Sequence, residues 1–141
     1  MRTYEPLCPR HRYLDYRNNH PILVPRVDST PITDLAVTVI TVEEQLSGWY
    51  RLVRQAKSPK DLAHAYHRLA TTVSFLGGWQ ILSFTEPAIA RFEQLKASKL
   101  NIGGTDLRIA AITLELPAVL VSRNLRDFQR VPGLTVQDWT V

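Results

Sequence analysis

Short apolar runs rich in β-branched residues alternate along the chain with longer segments whose apolar residues recur at helical spacing. LAVTVI (35–40) has the length and composition of a strand buried on both faces. The segment VEEQLSGWYRLVRQA (42–56) instead places its apolar residues on one helical stripe. This alternation predicts an α/β sandwich with a mostly parallel sheet. The predicted strands are 35–40, 79–84, 118–122 and 134–139. The predicted helices are 42–56, 58–76, 85–98 and 105–116, with Ser58 and Thr85 as the N-caps of the second and the third.

Length and composition fit one soluble domain spanning residues 1–141. Hydrophobic residues make up 45% of the chain, enough for a core, and no run approaches the roughly 18 apolar residues of a membrane helix. The polar N-terminus has no apolar signal region, and the single cysteine, Cys8, suits a reducing compartment. We therefore expect a cytoplasmic location. The net charge of +4 comes mainly from arginines, which permits a polyanionic partner such as nucleic acid.

Acidic and amide side chains fall where a parallel sheet exposes the carboxyl ends of its strands. Glu44 follows the first strand, Asn124 and Asp127 follow the third, and Asp106 opens the helix after the turn NIGG. Right-handed crossovers place these ends along one edge of the sheet, where ligands bind. Converging acids repel one another unless a cation joins them, and hard oxygen ligands select Mg²⁺ or Mn²⁺. Such a cluster would favour phosphodiester chemistry.

Each of these acids also has an ordinary structural interpretation. Asp106 could cap a helix or simply occupy its first turn. Glu44 lies opposite the apolar stripe of its helix and would then face solvent, and Asp127 could pair with Arg123 or Arg126. The chain has no glycine-rich phosphate loop after a strand, which disfavours a small nucleotide-binding α/β protein of another kind. Spacing alone leaves these alternatives open.

The order of two segments carries a more specific signal. VTVITVEEQLSGW is followed by TDLRIAAITLELPAVLVSRNLRDFQRVPGL, in which an acid opens a helix rich in Ile and Ala before a short strand, S-R-N-x-x-D-F and a V-P-G-L turn. This arrangement resembles the PIN-domain family and, within it, the VapC-type toxin ribonucleases, over roughly residues 20 to 139. The resemblance implies a PIN-like three-layer α/β/α sandwich.

The resemblance also implies a function and a site. Glu44, four residues before Gly48, takes the second acidic position of the family, and Asp106 takes the third. Asn124 and Asp127 lie where the family places its last polar and acidic residues. The implied protein is a Mg²⁺-dependent (or Mn²⁺-dependent) endoribonuclease of the toxin–antitoxin type. It would act on RNA with these four residues as catalytic groups and the three acids as metal ligands. The implied partners are a cognate antitoxin and a second copy of the chain, with no membrane.

The N-terminal segment 1–19 departs from the family pattern. The family begins with a strand ending in L-D-T-D or L-D-T-N, whose first Asp is the central metal ligand, but here the expected position falls on Pro9. Asp15 lies nearby but out of register. Residues 9–16 can be encoded by codons that give Leu-Asp-Thr-Asp-Ile-Leu-Thr when read one nucleotide later, so a compensated frameshift is our hypothesis for this segment. The alternative function is therefore a catalytically inactive PIN-like module that binds an antitoxin or RNA.

Overall fold

The structure, a computed structural model, describes residues 20–141 and has α/β architecture. Residues 1–19, which include Cys8, Pro9 and Asp15, lie outside the described residues. The elements are α1 (Leu23–Asp28), a 3-10 turn (Ile32–Asp34), β1 (Ala36–Thr38), α2 (Val39–Gln55), α3 (Pro59–Leu76), β2 (Gln80–Leu82), α4 (Glu86–Ala97), α5 (Gly104–Leu114), β3 (Val119–Val121), α6 (Leu125–Phe128) and β4 (Thr135–Gln137).

The strands pair in parallel, as the sequence predicted. β1 pairs with β2 in a register that places Val37 opposite Ile81, and β3 pairs with β4 with Leu120 opposite Val136. Within residues 20–141 the four strands form two separate two-stranded ladders, and β4 pairs with β3 alone. Parallel pairing directs the carboxyl ends of both strands of a ladder to the same edge. The predicted α/β class with parallel strands is confirmed.

The boundary between the first strand and the first long helix lies earlier than predicted. Val39 and Ile40, expected to end the strand at 35–40, are the first two residues of α2. The cause is Thr38, whose side chain accepts a hydrogen bond from the Thr41 backbone N–H at 3.2 Å and thereby caps the helix. Glu44 consequently lies in the second turn of α2 and does not directly follow a strand.

Two further helices begin where the sequence predicted capping residues. The Ser58 side chain accepts a hydrogen bond from Asp61 N at 3.1 Å, with Pro59 as the first helical residue of α3. Thr85 caps α4 by accepting from Ala88 N at 3.3 Å. Each cap satisfies a backbone donor that has no partner within its own helix. These local patterns explain why the helix starts could be placed from the sequence.

The largest core cluster surrounds α5. Ile109, Ala110 and Ala111 are fully buried, and Phe92 of α4, Leu120 of β3 and residues around α6 pack against this helix. Burying one large apolar side chain stabilises a fold by roughly 1.5–3 kcal/mol. From Leu107 onward α5 is packed on most of its circumference, so the core fixes the body of this helix, whereas its first turn, with Gly104, Thr105 and Asp106, is exposed or half-buried.

A second core cluster packs α1 against β3 and against residues next to β1 and β4. Leu23 and Val27 of α1 pack with Leu35, Val121 and Trp139. This cluster therefore connects the residue before β1 with β3 and with the chain after β4. No helix between residues 20 and 141 combines the length and the apolar character needed to cross a bilayer.

Candidate active site

A single amide joins two of the predicted site acids. The Asn124 side chain donates from Nδ2 to Asp106 Oδ2 at 3.2 Å and to Asp127 Oδ2 at 3.0 Å. Asp106 and Asp127 are 21 positions apart in the sequence, and both side chains are half-buried. The structure therefore brings together three of the four predicted catalytic residues, just beyond the carboxyl end of β3.

Local hydrogen bonds fix Asn124 and Asp127 in this position. Ser122, fully buried directly after β3, accepts a hydrogen bond from the Asn124 backbone N–H at 3.1 Å. The carbonyl of Asn124 accepts from Phe128 N at 3.2 Å, and the fully buried Phe128 ring anchors the short helix α6. The buried residues Ser122 and Phe128 therefore hold the turn that carries Asn124 and Asp127 in place.

Asp106 is held by the start of α5. It is the third residue of that helix, while Gly103 occupies the N-cap position, so the interpretation of Asp106 as an N-cap is wrong and its assignment to the first turn is right. The preceding turn contains Lys99 and Asn101 with φ of 51° and 59°. Left-handed backbone costs such residues roughly 1 kcal/mol each. This turn redirects the chain so that α5 begins beside the β3–α6 turn.

The electrostatics of the pair disfavour charge on Asp106. Burial is the largest cause and raises the pKa of the Asp106 carboxyl above its ordinary value of 3.8. The negative charge of Asp127 raises that pKa further, and the hydrogen bond from Asn124 opposes the rise. A first-turn acid at a helix N-terminus would ordinarily be stabilised by the helix dipole. At this site, burial and the neighbouring acid outweigh that stabilisation.

Asp127 forms an ion pair with a residue that the sequence analysis did not single out. Arg130 Nη1 lies 3.6 Å from Asp127 Oδ1, whereas a pairing of Asp127 with Arg123 or Arg126 stays a prediction. Ser122 was also missed. Both carried a weak local signal: Arg130 is three residues after Asp127, a helical-neighbour spacing, and Ser122 is a small polar residue at a strand end.

Glu44 is not the solvent-facing residue that its helical position suggested. The side chain is half-buried and its Oε2 atom is inaccessible to solvent. The fully buried Thr41 and the buried Gln45 lie on the same side of α2, which shows that this helix is covered on its polar flank as well as on its apolar stripe. The helical-wheel prediction failed because it took into account only the apolar stripe of the helix.

The relation of Glu44 to the other acids stays a prediction. Across residues 20–141, no three His, Cys, Asp or Glu side chains form a group with metal-binding spacing. The close contacts of the site join Asp106, Asn124 and Asp127. Two carboxylates and an amide oxygen are hard donors, and Mg²⁺ commonly takes one or two carboxylates while keeping several waters. The donor set present therefore fits Mg²⁺ or Mn²⁺.

Comparison with known proteins shows which solved structures and curated sequences this chain is similar to. The α/β fold of this chain is similar to that of solved VapBC complexes. The "Crystal structure of DNA bound VapBC" from Salmonella typhimurium matches with a TM-score of 0.77 over 99% of this chain and 98% of that one, at 21% sequence identity. No protein-family model matches the chain.

Curated proteins that are similar to this chain in sequence are also named VapC. The VapC1 ribonuclease of Haemophilus influenzae is 48% identical over 46 residues, 33% of this chain and 34% of the relative. The tRNA(fMet)-specific endonuclease VapC of Salmonella typhimurium is 29% identical over 75 residues, 50% of this chain and 57% of the relative. The matches thus span between a third and just over half of these relatives' length. They confirm the predicted resemblance to the VapC-type PIN-domain family.

Proposed function

We propose that this protein is a metal-dependent endoribonuclease of the toxin–antitoxin type that hydrolyses RNA phosphodiester bonds. The observation that carries the proposal is the Asn124 amide, which holds the carboxylates of Asp106 and Asp127 side by side beyond the end of β3. The names of the matched relatives, VapC ribonucleases and a tRNA-specific endonuclease, support RNA as the substrate.

Asp106 and Asp127 are the residues that would hold Mg²⁺ or Mn²⁺, with Glu44 as the third acid. When bound, the ion would polarise the phosphoryl group and lower the pKa of a coordinated water. Asn124 holds the two carboxylates in place with its two amide N–H groups, which leaves its Oδ1 atom to accept a hydrogen bond from a water and so orient it. Because burial raises the pKa of Asp106, a proton competes with the cation for this carboxylate. Acidic pH should therefore weaken both metal binding and cleavage.

Partners follow from charge and from the neighbouring structures. The net charge of +4 favours a polyanionic substrate through a salt-dependent attraction. The matched Salmonella structure is a VapBC complex bound to DNA, which supports a cognate antitoxin as a protein partner of this chain. A homodimer and a cytoplasmic location complete the proposal.

A second candidate function comes from a different class. Pro9 stands where the resemblance places the first metal-binding Asp, and a proline cannot ligate a cation. A site that lacks this acid would hold fewer negative charges around Mg²⁺, which gives up its waters reluctantly. The chain would then act as a catalytically inactive PIN-like module that binds an antitoxin or RNA.

One experiment separates the two functions. We compare cleavage of a single-stranded RNA, with Mg²⁺ and with chelator, by the chain as written and by a version whose residues 8–15 are replaced by Leu-Asp-Thr-Asp-Ile-Leu-Thr plus one linker residue. We expect slow or no cleavage by the first and Mg²⁺-dependent cleavage by the second. Asp106→Asn in the restored version should abolish that activity.

A matched control tests whether the loss of cleavage comes from the site itself or from a general effect of replacing a first-turn aspartate. Asp61 occupies the third position of α3, as Asp106 does in α5, but it is exposed. Asp61→Asn in the restored version should leave cleavage unchanged. Equal, chelator-sensitive cleavage by the unaltered chain would show that another group replaces the missing acid. If the chain as written binds RNA or antitoxin without any cleavage, the inactive module is the better account, whereas slow, chelator-sensitive cleavage by it supports the ribonuclease.

A further inference from the structure

One arginine links the two segments that carry the paired acids. Arg130 Nη1 donates a hydrogen bond to the backbone carbonyl of Asn101 at 3.1 Å, and the same atom lies 3.6 Å from Asp127 Oδ1. Asn101 has left-handed backbone with φ of 59° and lies in the turn that leads into α5. Arg130 therefore connects the end of α6 with the turn before Asp106, across 29 positions of sequence.

The contacts form a closed ring. Asn124 bridges Asp106 to Asp127 on one side, and Arg130 bridges Asp127 to Asn101 on the other. The chain from Asn101 to Asp106 closes the ring. A single bridge would leave the two segments free to pivot about it, whereas two bridges fix both their separation and their relative orientation.

We propose that Arg130 is a positioning residue that sets the spacing of Asp106 and Asp127 without itself contacting the substrate. Residues that orient metal-binding groups from behind commonly change metal affinity by roughly 10–100-fold when they are replaced. The part of this proposal that concerns the cation rests on the proposed metal-dependent function. The part that concerns the geometry of the two turns does not.

Charge and positioning predict opposite results when Arg130 is removed. Taking a positive charge away from beside the Asp127 carboxylate should, because a cation is no longer repelled there, strengthen cation binding. Loss of the bond to Asn101 should instead let the α5 turn drift from the β3–α6 turn and weaken binding. The sign of the change therefore distinguishes a positioning residue from a competing charge.

The first test is a Mn²⁺ titration of the full chain, followed by paramagnetic broadening of the Asn124 side-chain amide signal. We expect Arg130→Met to need roughly tenfold more Mn²⁺ for half-maximal broadening. The matched control is Arg126→Met, which removes the same charge from an exposed side chain of α6 and should leave the midpoint unchanged or slightly lower it. Arg130→Met with an equal or lower midpoint would overturn the proposal.

The second test needs no metal. Leu107 N donates to Gly103 O at 3.0 Å in the first turn of α5, and Ile89 N donates to Thr85 O at 2.8 Å in the corresponding turn of α4. Arg130→Met should speed amide hydrogen exchange at Leu107 by roughly tenfold while leaving Ile89 unchanged, because only the first of these turns is tethered by Arg130. Unchanged exchange at Leu107 would refute the tether.

The two tests keep the proposals distinct. If the wild-type and restored chains show no broadening with Mn²⁺, the metal-dependent function fails while the exchange result still decides the role of Arg130. If Mn²⁺ binds and the Arg130→Met variant behaves like Arg126→Met in both measurements, Arg130 has no positioning role and the proposed function is untouched.

Discussion

At the scale of one residue, the ionised Asp106 carboxyl lowers the stability of the folded protein. Burial and the charge of Asp127 raise the pKa of its carboxyl, so the ionised form is less favourable in the folded protein than in the unfolded chain. As pH rises from the ordinary value of 3.8 through the raised folded pKa, the folded state holds its proton longer and loses stability relative to the unfolded state. Above that window the loss remains constant.

Asp106→Asn should therefore stabilise the metal-free protein at pH 7. Asparagine keeps a carbonyl oxygen that can accept from Asn124 and removes the buried charge, so we expect a gain on the order of 1 kcal/mol in the free energy of unfolding. Urea unfolding of the wild type and the variant measures it. The gain should disappear below about pH 3, where the Asp106 carboxyl is protonated in both the folded and the unfolded protein. A variant less stable than the wild type at pH 7 would contradict this account.

At the scale of elements, Thr38 determines where a strand gives way to a helix. It is the last residue of β1, it is fully buried, and its hydroxyl caps α2. Ser58 performs the same capping at α3 from a more accessible position, where its partner Asp61 is exposed. A buried donor that loses its partner cannot turn to water, whereas an exposed donor can.

Thr38→Val should destabilise the protein more than Ser58→Ala. Valine keeps the shape of threonine but leaves Thr41 N without its acceptor in the core, which we expect to cost roughly 2–3 kcal/mol. Loss of the exposed Ser58 cap should cost roughly 1 kcal/mol. The midpoints of urea unfolding at constant slope give both values. Equal costs for the two variants would argue against burial as the deciding factor.

At the scale of the whole molecule, the hairpin of α2 and α3 divides its apolar residues between the core and the surface. Among its large apolar residues, Leu76 is buried, Phe75 and Trp49 are half-buried, and Tyr66 is 55% exposed. Val73, also 53% exposed, lies seven residues from Tyr66 and therefore on the same face of α3. Exposed apolar patches commonly mark protein interfaces.

We predict that the exposed face of α3 takes part in the proposed homodimer. Tyr66→Lys should weaken self-association more than about fivefold, because an aromatic residue in an interface commonly contributes more than about 1 kcal/mol. Ile89→Lys, on the exposed side of α4, is the matched control and should leave the association unchanged. Sedimentation of the three proteins over a range of concentrations measures this. A wild type that is monomeric at high concentration would end the prediction.

Much of the architecture was encoded locally. The alternation of β-branched runs with helical stripes predicted the α/β class and parallel strands, and Ser58 and Thr85 predicted two helix starts, because a cap needs only residues three positions apart. The same locality explains the error at 35–40. Val39 and Ile40 favour a strand by composition, but the Thr38 cap and the packing of α2 made them helical.

The sequence alone determined which side chains follow the strands and open the helices, and so nominated Asp106, Asn124 and Asp127. Only the tertiary structure decided that one amide would join these two acids, that Arg130 would reach Asn101 and that Glu44 would be half-buried. Capping and periodicity act between neighbours in sequence and can be read from it. Burial, pKa and contacts across 18 or 29 positions depend on how α5 packs against the β3–α6 turn, which no local pattern specifies.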